Sequence, residues 1–109
     1  MGKISAWISN VDGTSYPRLE NEIEVDVAII GGGIAGASAA YYLSPHRDVL
    51  LLERESALGY HSSGRSAAEL APRFHSDVVR RLIEISYGFL TTPPAGFTDV
   101  KMVRSVCIR

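Results

Sequence analysis

Cysteine is nearly missing from this chain. Cys107 stands alone, which excludes an internal disulfide and any zinc site built on paired cysteines. A reducing compartment is the plain reading, with Cys107 itself a small buried hydrophobe. Long apolar runs are missing too, none reaching the about eighteen residues that a membrane span needs. The stretch from Met1 to Trp7 carries one lysine and no apolar segment of signal-peptide length. It opens Met1-Gly2, but Ala6 stands where a myristoylation motif wants Ser or Thr. The expectation is a soluble, cytoplasmic protein with no transmembrane segment. An excess of one charge is also lacking: 11 Lys and Arg face 12 Asp and Glu, a net charge of −1. No basic field therefore points to nucleic acid, and no charge block points to a solvated tail.

What is present is an ordinary globular balance, 46% hydrophobic and 21% charged over 109 residues, enough for one domain with a modest core. Residues 1–24 read as a polar amino-terminal arm, with turn signals at Asn10, Asp12-Gly13 and Pro17. Its tail from Ser15 to Glu24 reads as a surface arm or a short strand. Trp7, in an unpatterned stretch, is expected to pack or to contact a partner.

From Val25 the pattern sharpens. Residues 25–30 are continuous and largely β-branched, as a strand buried on both faces of a parallel sheet should be. Gly31, Gly33 and Gly36 follow in G-x-G-x-x-G register, and a small-residue helix is predicted from Ile34 to Leu43. Ser44-Pro45 ends that helix, since proline has no N–H to donate and restricts the residue before it. Asp48 to Glu53 reads as a second strand. The order strand, glycine turn, helix, strand, terminal carboxylate is that of a dinucleotide-binding unit.

Each residue type has a physical task there. Gly31 permits the tight turn out of the strand. Gly33 lacks a Cβ, so backbone can approach a pyrophosphate, and Gly36 lets the helix pack near the strand. Ile34 and Ala35, at the helix start, present N–H groups and the positive end of the helix dipole to phosphate. Glu53 is placed to accept hydrogen bonds from adenosine ribose hydroxyls and would repel a 2′-phosphate, arguing against NADP. Both FAD and NAD contain that ribose, so Glu53 does not separate them. A glycine cluster can also be simply a turn, and a strand-end carboxylate simply a solvated charge; the complete flanking pattern favours the nucleotide.

Residues 54–68 are polar and small, a loop leading into a helix start, in place of the amphipathic helix of a plain NAD unit. Within them Ser62, Ser63, Gly64, Arg65, Ser66, Ala67 and Ala68 can bond phosphate oxygens and let a flat ring lie against backbone; on composition alone a plain surface loop is an equal reading. A helix is predicted over Asp77 to Leu90, with Val78, Leu82, Ile85 and Phe89 on one face and Arg80, Arg81 and Glu84 available to solvent. Ser76 is its expected N-cap, and Asp77 complements its positive end. Residues 91–96 end it, and Val100 to Ile108 reads as a last strand, whose edge would want a partner.

The stretches DVAIIGGGIAGAS (26–38), LERE (52–55), GYHSSGRSAA (59–68) and PPAGF (93–97) together resemble the D-amino-acid oxidase (DAO) family of FAD-dependent oxidoreductases, its amino-acid dehydrogenases most closely. They span most of the chain after Val25. The resemblance implies a Rossmann-like α/β fold built on an FAD-binding βαβ unit, incomplete as a sheet and without the later substrate domain. It implies FAD as cofactor, with Glu53 and Arg54 at the adenosine end. Residues Ser62 to Glu69 would run along the pyrophosphate towards the isoalloxazine. The implied reaction moves a hydride from the α-carbon of an amine or amino acid to the flavin, giving for an amino acid an imino acid that water converts to an oxo acid and ammonia. Three positions depart from the arginine-oxidising members: Glu69 replaces a histidine, Phe74 a tyrosine, and Ile108 falls near an expected acid. Arginine as substrate does not follow.

The family's substrate-binding residues come later in sequence, so these residues are assigned cofactor contacts, no catalytic role and no metal. The expectation is the amino-terminal part of a flavin oxidoreductase acting on an amine or D-amino acid, inactive alone. The alternatives are a non-catalytic flavin module completed by a second polypeptide, and an NAD-binding unit. His46 reads as surface; His61 and His75 are candidate acid–base groups, for which polar surface is the favoured reading.

Overall fold

The computed structural model describes residues 15–70 and 75–103. Expectations placed on Trp7, the turns at Asn10 and Asp12-Gly13, Phe74, Cys107 and Ile108 lie outside the described residues. The chain divides into two compact units, Met1–Ala67 and Ala68–Arg109.

In the first unit, residues 15–24 run exposed and without regular structure, an arm and not a strand. Strand β1 spans Val27–Ile30, helix α1 Ile34–Leu43 and strand β2 Val49–Leu52. The strands pair in parallel, Val27 opposite Val49 through Ile30 opposite Leu52. Parallel neighbours need a crossover, and α1 supplies it. The pairing is pinned at both ends. Asp26 Oδ2 accepts the Asp48 N–H at 3.0 Å before the ladder begins. Gly31 N–H donates to Leu52 O at 2.7 Å where it ends.

Side chains alternate across the sheet, so Val27, Ile29, Val49 and Leu51 share one face. The α1 helix lies on that face, because a Cβ on Gly36 would sit 3.3 Å from Ile29 Cγ2. The other face, with Ala28, Ile30, Leu50 and Leu52, turns away from α1, and Ile30 is 88% exposed. Among the described residues no hydrophobic side chain is buried. The buried positions are two glycines, Gly32 and Gly64. The tightest packing in the first unit is thus around its turns, not in a core. The helix closes on Ser44 N–H to Ala40 O at 2.9 Å, and Pro45 forbids another turn.

The second unit is built on helix α2, Asp77–Thr91. Ser76 stands at its N-cap with extended backbone, as its sequence position suggested, but its hydroxyl makes no capping bond. Asp77 instead pairs with Arg80 one turn on, at 2.5 Å. The expected apolar face exists but is largely uncovered before Phe89: Val78, Leu82 and Ile85 are 70%, 58% and 67% exposed. Pro93-Pro94 stops the helix, and Gly96 at φ +81° with Phe97 N–H to Pro94 O (3.1 Å) turns the chain back. Phe97 then meets Phe89 edge to face, ring centroids 4.9 Å apart. The 93–97 stretch is therefore a packed return turn, not merely a stop. The last strand expected over Val100 to Ile108 is not formed at residues 100–103, and the rest of it lies outside the described residues. Without a neighbouring strand to accept its bonds, an apolar run has no reason to extend.

Candidate functional site

The site grows from the turn that follows β1. Gly31 takes φ +102°, a left-handed conformation that a side chain would strain. Gly36 shows the closest approach: a Cβ there would fall on the Gly31 carbonyl oxygen. A Cβ on Gly32 would meet the Leu58 side chain, and one on Gly33 would sit 3.0 Å from Ser63 Oγ. These are the contacts of a cradle that side chains would fill. The first intrahelical bond of α1 is Ala37 N–H to Gly33 O, at 2.9 Å. The N–H groups of Ile34, Ala35 and Gly36 therefore have no acceptor inside the helix.

Opposite this turn, residues 59–65 fold back. Gly59, at φ +70°, donates its N–H to Gly32 O at 2.9 Å. A short 3-10 turn, Ser63–Arg65, follows. Ser63 Oγ accepts the Ile34 N–H at 3.0 Å, so a hydroxyl twenty-nine residues on caps the helix. Between the two walls lies a cleft of about 300 Å³ lined by Gly31, Gly33, Glu53, Gly59, Tyr60, His61, Ser62 and Ser63.

Glu53 bridges the floor. Its Oε1 accepts the Glu55 N–H at 3.0 Å and its Oε2 the Gly32 N–H at 2.8 Å. The backbone N–H of Glu55, and then that of Gly32, hold its carboxyl below the usual value. Each carboxylate oxygen still has a second lone pair for a ribose hydroxyl. Glu55 is held low in turn, by its hydrogen bond from His61 and then by that from Arg54. The distances to its Oε1 are 2.9 Å from His61 Nε2 and 3.1 Å from Arg54 Nη2.

The residues singled out from sequence fall into three groups. Gly31, Gly33, Glu53, Ser62 and Ser63 line the cleft, while Ile34, Ala35 and Gly36 form the first turn of α1 beside it. Arg54 does not line it; its side chain is 86% exposed and turned to Glu55. Gly64 and Arg65 complete the 3-10 turn, Ser66 closes it, and Ala67 is exposed at the end of the first unit. Ala68, at φ +52°, and Glu69 belong to the second unit. Gly59, Tyr60 and His61 also line the cleft; the sequence reading held them within the 59–68 stretch but named none of them as a contact.

A parallel βαβ unit with a glycine-walled cleft, helix N–H groups at one end and a strand-end carboxylate at the other defines a nucleotide-binding fold. The sequence matches the FAD dependent oxidoreductase (DAO) family over residues 26–95, and the chain belongs to that family. It is 35% identical over 82 residues to gamma-glutamylputrescine oxidoreductase of Escherichia coli (strain K12), covering 74% of this chain and 18% of that protein. It is 42% identical over 53 residues to the putative Rieske 2Fe-2S iron-sulfur protein YhfW of Bacillus subtilis (strain 168), 48% of this chain and 10% of that one. The chain thus spans less than a fifth of the length of either relative. Among the described residues no helix is long and apolar enough to cross a membrane.

Proposed function

We propose that the cleft holds the adenosine diphosphate half of FAD, and that residues 25–109 are the amino-terminal FAD-binding part of an enzyme oxidising an amine or amino acid. The observation that carries this reading is the close approach at Gly33, where a Cβ would sit 3.0 Å from Ser63 Oγ, beside the Ala35 and Gly36 N–H groups that have no acceptor inside α1. Glu53 would accept the ribose hydroxyls, and Ser62 and Ser63 would turn to the diphosphate. Gly64 to Ala67 would continue along it, with Ala68 and Glu69 leading towards the flavin ring and Arg54 at the adenosine end. When bound, the flavin supplies the hydride acceptor; the chain's own residues bind and orient it. That one relative is an oxidoreductase of gamma-glutamylputrescine, itself an amine, supports the amine class, and D-amino acids are the other expected substrates. We place the protein in the cytoplasm.

The chain by itself would be inactive, a module completed by further polypeptide. Exposed apolar surface on both units, Ile30 and Leu82 among it, favours that reading. A visible flavin spectrum of the purified protein tests the cofactor; its absence, with NAD raising the thermal midpoint, would replace FAD by NAD. Turnover of D-amino acids or γ-glutamylputrescine with an artificial electron acceptor tests the rest. No turnover is expected from this chain.

A further inference from the structure

The lining of the cleft has an unbalanced charge. It contains the Glu53 carboxylate, and a dinucleotide would add a diphosphate. Among the described residues that line it, His61 is the one able to carry a positive charge. Arg54 is turned outward to Glu55, and Arg65 lies in the 3-10 turn outside the lining.

We propose that His61 is an anion-binding residue of the cleft: its imidazolium donates to the diphosphate of the bound dinucleotide, so the cofactor is held more tightly at acid than at alkaline pH. This rests on the cleft being a flavin dinucleotide site. His61 lines the cleft, and two contacts hold its ring. Its Nε2 lies 2.9 Å from Glu55 Oε1, and Tyr60 meets it edge to face with centroids 5.1 Å apart. Glu55 is kept ionised through neutral pH by His61 and Arg54, so it accepts from Nε2–H whether or not the ring is charged. The nitrogen that changes is therefore Nδ1: a lone pair in the neutral ring, a donor in the charged one. A diphosphate can only accept, so it bonds the charged form. The charged and titratable groups facing the ring are Glu55, Arg54 on the same carboxylate oxygen, Glu53 and the Tyr60 phenol. Both carboxyls are held low. Between about pH 5.5 and 8.5, histidine is the side chain whose charge changes.

The test is FAD affinity of the 109-residue chain, read by flavin fluorescence at about pH 5.5 and about pH 8.5. FAD has phosphate diesters whose charge is constant over that range. Wild type should bind about fivefold more weakly at the higher pH, and His61→Gln should bind equally at both. A residue that merely braced the loop would, when replaced, lower affinity by the same factor at each pH. A flat wild-type profile, or a His61→Gln variant that keeps the wild-type slope, overturns the proposal. If in the latter case Gly33→Ala still weakens FAD binding, the cleft reading survives alone. If wild type binds no FAD at either pH, both fall.

Discussion

The Glu53 carboxylate accepts the Gly32 N–H at 2.8 Å, tying the end of β2 to the middle of the glycine turn twenty-one residues earlier. Its other oxygen takes the Glu55 N–H. The residue read as a ribose acceptor is therefore also a brace that shapes the cleft before any ligand arrives. Gly32 is buried in this arrangement, so its N–H depends on that carboxylate for a partner.

Replacing Glu53 with Gln should weaken FAD binding about tenfold, because an amide offers one accepting oxygen where the carboxylate offers two. The same bonds make stability pH-dependent. The folded carboxyl titrates below its ordinary 4.5. Its contribution is therefore complete above that value and lost as the pH falls through the depressed one. Urea midpoints of wild type and Glu53→Gln should differ at neutral pH and converge in acid. Equal midpoints at neutral pH would remove the brace.

Two glycine substitutions separate folding from binding. A Cβ at Gly36 would fall on the rigid carbonyl of Gly31, so Gly36→Ala should cost about 1–3 kcal/mol, measured by urea unfolding. A Cβ at Gly33 would meet the Ser63 hydroxyl at 3.0 Å, and that side chain can rotate. Gly33 has φ −73°, which alanine adopts freely. Gly33→Ala should therefore shift stability by less than about 1 kcal/mol while weakening FAD binding. The reverse order of stabilities would show that the cradle is misassigned.

Ser63 caps α1 from outside the helix, since Gly33 at the N-cap has no side chain to do so. Ser63→Ala should cost about 1 kcal/mol of stability. A diphosphate at the same helix end supplies its own oxygens. Saturating FAD should therefore narrow the difference in thermal midpoint between Ser63→Ala and wild type. A gap that widens instead would mean the hydroxyl serves the ligand more than the helix.

Much of this unit was legible because local chemistry enforced it. The α1 helix runs from Ile34 to Leu43 as its pattern indicated, bounded by Gly33 and by Ser44-Pro45. Both strands sit within their apolar runs, shorter by one or two residues at the ends. What escaped was set by distance in sequence. Nothing around Ser63 announces that it will cap Ile34, and nothing around His61 announces Glu55 as its partner. Ser76 misled in the other direction: the right residue at the right position, with its hydroxyl unused. The strand expected from Val100 onward depended on a neighbour that periodicity cannot supply.

The bare apolar surfaces make the last prediction. Burying a Val, Leu or Ile side chain fully is worth about 1.5–3 kcal/mol, and a covered leucine replaced by a smaller or polar residue typically costs about 2–5 kcal/mol. Leu82 is 58% exposed on α2, and Ile30 is 88% exposed on the sheet face away from α1. In this chain, Leu82→Gln and Ile30→Gln should each change stability by no more than about 0.5 kcal/mol. Both should lower binding of a hydrophobic dye such as ANS. Supplying the remaining part of a full-length family member should reverse the outcome: dye binding falls for wild type, and the same two substitutions then become costly. If they are already costly in the chain alone, these faces are covered without a partner, and the proposal of a completing polypeptide fails.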